Sequence, residues 1–170
     1  MDKEARFFER IVRSHYWQKM PEIVEKFPFR NRIFFSKFKR INAPLTHQLI
    51  DQHRAGNISI AHSLIDKEGL VPHLVIDYNG NDPKYFYHHA GKVLHALQYD
   101  DLITFHSKTP GHIHLYIFVN NLPLQKAYEQ GKIIDKELRK KLQRQWALLP
   151  DIEKPQEYAI AQLPYRRFFL

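Results

Sequence analysis

Two apolar runs constrain this chain most: Val71–Tyr78 (VPHLVIDY) and His112–Val119 (HIHLYIFV). Runs this apolar read as central strands, because a strand buried on both faces needs no polar alternation. Turn chemistry bounds both. Asn79-Gly80-Asn81-Asp82 closes the first, and Lys108-Thr109-Pro110-Gly111 opens the second. Between them, Pro83 begins a helix to about Gln98, with Tyr87, Ala90, Val93, Leu94 and Leu97 on its apolar side. Leu102–Phe105 is a short strand. Beyond Val119, Leu124–Glu129 and Asp135–Leu149 read as helices split at Gly131. Ile134, Leu138, Leu142 and Trp146 form the apolar stripe of the second. Tyr158–Leu163 is the last expected strand.

The order over residues 71–163 is therefore β-α-β-β-α-β, the split βαβ or ferredoxin/RRM-like order, whose first and third strands are central neighbours. A smaller lobe precedes it. Phe7, Phe8, Ile11, Tyr16, Ile23, Val24 and Phe27 follow a helical period, so residues 4–26 read as two short helices joined at Met20-Pro21. Arg30–Ile41 is rich in aromatic and β-branched residues and reads as one strand. Leu45–Ala55 is a helix ended by Gly56-Asn57, and Ile58–Ile65 a further strand. The expectation is one α/β (α+β) domain over residues 1–170, with an N-terminal lobe over 1–70.

Composition narrows the function classes. With no Cys, a disulfide scaffold, a Cys-ligated zinc site, an iron–sulfur cluster and thiol catalysis are excluded. No apolar run approaches the roughly 18 residues that span a bilayer. The N-terminal Met-Asp-Lys-Glu-Ala-Arg has no apolar stretch of the kind a secretion signal needs. A cytoplasmic protein with no membrane partner is expected. Lys and Arg number 26 against 18 Asp and Glu, a formal charge of +8, which favours an anionic partner such as nucleic acid or nucleotide phosphates.

The candidate chemistry gathers at one end of the central strands. Asp77 ends the first apolar run, where a carboxylate suits a Mg²⁺ or Mn²⁺ ligand; capping the following turn is the plainer role. Asn79 follows two residues later. His112 and His114 flank one apolar residue, so strand alternation places both on one face. Ser107 and Lys108, with the backbone N–H groups of their turn, can hold phosphate oxygens. Arg30, Arg32, Lys37, Lys39 and Arg40 alternate with Phe34, Phe35 and Phe38, a pattern open to nucleic-acid contact or to an edge strand with outward cations.

In order, these features resemble the small catalytic subunit of archaeo-eukaryotic primases, as a short divergent bacterial member. The matching stretches are Arg30–Phe35, Ser59–Ile65 (SIAHSLI), Leu74–Asn79 (LVIDYN), Pro83–Gln98 and Ser107–Leu115 (SKTPGHIHL), within residues 5–120. The resemblance implies a primase-like fold and a metal-dependent nucleotidyltransferase pocket for a nucleoside triphosphate or nucleic acid. It implies a metal-binding, catalytic Asp77, and phosphate contacts from Ser107, Lys108, His112, His114, Asn79 and Arg32. The chain departs from the pattern in four ways. Asn79 replaces the second Asp, the spacing from Ser107 is five to His112 or seven to His114 where the family usually has six, no third acidic motif follows, and the zinc-binding segment is missing with the cysteines. A nucleotide-binding pocket is thus implied more strongly than a working polymerase.

His112-Ile113-His114-Leu-Tyr-Ile also resembles the motif of single-strand nucleases and transposases. Those enzymes need a nucleophilic Tyr on the next helix, where Tyr128 is the candidate. A non-catalytic nucleic-acid-binding module is the third reading.

Overall fold

The structure, a computed structural model, describes residues 2–169. Helix α1 (Lys3–Arg10) starts on Asp2, whose side chain accepts from the Ala5 N–H, and ends at Ile11, where the backbone turns extended. Strand β1 (Tyr16–Lys19) follows. A hairpin comes next, β2 (Glu25–Phe29) and β3 (Arg32–Ser36), and then β4 (Phe38–Ile41). Helix α2 (His47–Arg54), capped by Thr46, leads to β5 (Ile60–Ser63). The second half runs β6 (Leu70–Tyr78), α3 (Pro83–Ala96), β7 (Leu102–His106), β8 (Ile113–Pro123), α4 (Leu124–Arg139) and β9 (Trp146–Leu149). A single 3₁₀ turn, Gln156–Tyr158, precedes β10 (Ile160–Gln162).

The architecture is mixed α and β with antiparallel sheets. The central sheet has the order β7-β8-β6-β9. Strands β6 and β8 are its inner pair, with Asp77 opposite His114 and Val75 opposite Tyr116. This is the neighbour relation expected of the first and third strands in a β-α-β-β-α-β unit. The strand that closes the sheet differs from expectation. Trp146–Leu149, expected as the end of a helix, is extended and pairs with Val75–Tyr78. Its Trp146 ring lies 5.8 Å from Phe86 on α3, while Leu149 turns to the opposite side of the sheet. Helix α4 instead runs unbroken through Gly131, which is buried and where a Cβ would lie 4.0 Å from Leu148 Cβ. The strand at 160–162 belongs to the N-terminal sheet, ordered β10-β5-β1-β4.

The N-terminal lobe departs further. Only Lys3–Arg10 of residues 4–26 is helical, because Trp17 and Gln18 are taken up as partners of Ala61 and Ile60 in a sheet. The single strand expected over Arg30–Ile41 is two, β3 and β4. Its start is the tip of the β2–β3 hairpin, where Arg30 has φ of 53°. Each sheet face of β6 and β8 is covered. Leu74, Ile76, Leu115 and Ile117 pack with Phe86, Leu94, Ile134 and Leu138 of the two helices. Val75, Tyr116 and Phe118 pack with Phe7, Ile50, Ile60 and Leu163 from the N-terminal lobe and the C-terminal segment.

Candidate functional site

The sheet brings the Asp77 turn and the Ser107–His112 turn to one end, because β6 ends where β8 begins. Tyr78 builds the first turn. Its ring stacks on Phe86 at 4.3 Å, and its hydroxyl accepts from the Asp82 N–H at 3.0 Å. Gly80 lies so close that a Cβ there would meet the Tyr78 hydroxyl at 2.2 Å, so the turn needs glycine. A Cβ on Gly111, at φ +85°, would lie 3.8 Å from Gly80 O, so the two turns adjoin. Within the second turn, Ser107 N–H donates to His112 O at 2.9 Å, and His112 N–H to Thr109 O at 3.0 Å. Thus His112 closes the turn, one residue before β8, and does not share a regular strand face with His114.

The polar side chains divide into two groups. His114 is buried, and its Nε2 lies 3.2 Å from Asp77 Oδ1. Its Nδ1 is buried with no hydrogen-bond partner. Beside it, Tyr116 is fully buried and its hydroxyl is 2.9 Å from His62 Nε2. Burial, with the Asp77 charge second, pushes the Tyr116 phenol above its ordinary range. Burial pulls His62 and His73 down to about 3, so both are neutral at physiological pH.

Ser107 and Lys108 belong to the other group. They line a cavity of about 660 Å³ with Arg54 of α2 and Arg166 and Arg167 of the C-terminal segment. That segment is held to the β7 edge: His106 N–H donates to Arg166 O at 2.8 Å, and Phe168 N–H to Thr104 O at 2.9 Å. The carboxylate in this cavity, Glu4, is 2.9 Å from an Arg54 nitrogen. The Nε atoms of Arg54 and Arg167 are buried without partners.

Three further candidates add no side chain to either group. Arg32 sits on the β2–β3 hairpin and donates to the carbonyl of Glu153. Asn79 donates weakly to the Asp77 carbonyl at 3.4 Å. Tyr128, on α4, opens on a different cavity with Lys132, Asp135 and Asp151. Asp77 is the residue expected to hold Mg²⁺ or Mn²⁺. That carboxylate faces the His114 imidazole, and Asn79 stands two residues on where a second carboxylate would serve two ions. Among the described residues, no three His, Asp or Glu side chains converge as a metal centre. Among them also, no helix is long and apolar enough to cross a membrane.

The sequence reading missed Arg54, Arg166 and Arg167, although Tyr165-Arg-Arg-Phe-Phe carries the basic-aromatic signal found elsewhere in the chain. His62 carries no signal in the sequence beyond its place inside an apolar strand.

A comparison with protein families bears on the lobe that covers the His114 face. Residues 8–73 are similar to a domain of unknown function, DUF1882. That segment spans β1 to β5 and the first residues of β6, and it stops before Asp77. No curated protein matches the chain.

Proposed function

We propose that this chain binds the phosphate groups of a nucleoside triphosphate or of nucleic acid at the β7–β8 turn, on a primase-like fold and without two-ion polymerase chemistry. The observation that carries the reading is the cavity where Ser107 and Lys108 meet Arg54, Arg166 and Arg167, four cations against, among the described residues, the single carboxylate of Glu4. Guanidinium groups recognise phosphate through fixed, paired donors, and two of these have an unused buried Nε. The central strand order supports the primase resemblance at the level of topology. The missing second carboxylate argues against nucleotidyl transfer. The nuclease reading has less support, because Tyr128 opens on a cavity that neither His112 nor His114 lines.

The test is fluorescence anisotropy with a labelled single-stranded oligonucleotide over a salt series, beside thermal shifts with nucleoside triphosphates. The double variant Arg166→Ala/Arg167→Ala should weaken binding at least tenfold. Losing two phosphate contacts should flatten the log–log salt slope by about 1.4. Unchanged affinity and slope would reject the site.

A further inference from the structure

A second polar cluster lies on the outer face of the N-terminal sheet, on the opposite side from His62. Trp17 Nε1–H donates to Ser63 Oγ at 3.0 Å. Ser63 Oγ is 2.7 Å from His15 Nε2, and His15 Nδ1 is 3.0 Å from Ser14 Oγ. Register explains the grouping. Trp17 stands opposite Ala61 across β1 and β5, so Ser63, two residues on, shares its face. Ser63 and His15 are buried, yet both line a cavity of about 450 Å³. The charged groups around it are Arg40 of β4, Asp66 and Lys67 after β5, and Glu157 of the 3₁₀ turn.

We propose that Ser63 is a nucleophile, activated by His15 as general base, acting on a carboxylic ester. A nucleophile within hydrogen-bond reach of a base, with the base held by a third group, is the arrangement that such catalysis requires. The indole N–H can only donate and occupies one Ser63 lone pair. With the His15 proton on Nδ1, donated to Ser14 Oγ, Nε2 accepts from the Ser63 hydroxyl. Burial, and then the Arg40 charge, hold His15 below the ordinary imidazole range and keep it a free base at neutral pH. Arg40 and Lys67 are balanced by Asp66 and Glu157, so these groups together give the cavity no net charge.

In the step itself, Ser63 Oγ bonds to the ester carbonyl carbon while its proton passes to His15 Nε2. The bond from that carbon to the alcohol oxygen breaks, and Nε2 returns the proton to the departing alcohol. Water then attacks the acyl-serine, gives its proton to Nε2, and Ser63 regains a proton as the acid leaves.

The folded chain is treated with a fluorophosphonate probe and mapped by peptide mass. One adduct with loss of fluoride is expected on Ser63. It should vanish in Ser63→Ala and form at least tenfold more slowly in His15→Gln. No adduct, an adduct only on other residues, or an unchanged rate in His15→Gln would overturn the proposal. If His15→Gln does not fold, the pH profile of the wild type decides. A labelling rate level between about pH 6.5 and 8 supports a base of lowered basicity. A rate that climbs steadily through that range overturns it.

Discussion

The two faces of the central sheet are built from the same strands and packed by different chemistry. The helix face is closed mainly by aliphatic residues, Leu74, Ile76, Leu94, Leu115, Ile117, Ile134 and Leu138, with Phe86 and Trp146 at one end. The lobe face holds Phe7, Phe105, Tyr116 and Phe118, with His62, His73 and His114 among them. None of the five buried histidines of the described residues lies on the helix face. Aliphatic packing is indifferent to protons, whereas a buried neutral imidazole resists them. The helix face is therefore plain scaffold, and the lobe face couples the fold to pH and leads to Asp77.

Acid sharpens this contrast most. His62 and His73 titrate near 3 when folded and near 6.5 when unfolded. A depressed folded pKa means that their stability is fully present above 6.5 and is lost as pH falls from there towards 3. Two such protons lower stability by roughly 2.7 kcal/mol per pH unit within that window. Urea unfolding at pH 7.5, 6 and 5 should show this, and His73→Phe should halve the slope. An unchanged midpoint from pH 7.5 to 5 would remove the distinction between the faces.

Truncation ranks next. Phe7 meets Tyr116 at 4.5 Å, Phe105 at 5.0 Å and His73 at 5.1 Å between ring centroids, and it is fully buried. Phe7→Ala should cost about 3–5 kcal/mol, read by denaturant unfolding, and should flatten the acid loss, because water admitted to the imidazoles returns their folded pKa towards 6.5. Leu94→Ala on the helix face should cost about 2–5 kcal/mol, by the same amount at pH 7.5 and at pH 6. A pH-dependent loss at Leu94 would contradict the assignment of titration to the other face.

Smaller effects follow. Tyr116→Phe leaves His62 Nε2 without its partner and should cost about 1–3 kcal/mol at neutral pH in thermal or urea unfolding. On the exposed side of α4, Arg139→Ala breaks a pair with Asp135 four residues earlier and should cost about 0.3–0.5 kcal/mol. A cost at Arg139 as large as that at Tyr116 would mean that surface charge, and not the lobe face, controls stability.

Where the sequence was readable, the reason was local. Val71–Tyr78 and His112–Val119 are apolar enough to be central strands whatever surrounds them, and Asp82-Pro83 and Thr46 mark helix starts through their own side chains. Residues 16–26 misled because their apolar spacing also fits a helix, and only the pairing of Trp17 with Ala61 resolves it. Trp146–Leu149 misled in the same way. It extends a helical stripe in sequence but finds a free β6 edge in space. At the site, Asp77 and His114 were legible because they face each other across two predictable strands. Arg166 and Arg167 were not, because nothing near them in sequence says that the C-terminal segment returns to β7.

Local patterns alone establish the β-α-β-β-α order of the second half up to its closing strand, the absence of thiol chemistry and the convergence of the Asp77 and Ser107 turns. These follow from periodicity, composition and turn residues, which act over a few positions. The tertiary structure decided that Arg54, Lys108, Arg166 and Arg167 share one cavity, that His62 and His73 are stripped of water, and that His15 meets Ser63. Each depends on chain segments brought together by sheet register and lobe packing, and long-range pairing leaves no local trace in the residues that it joins.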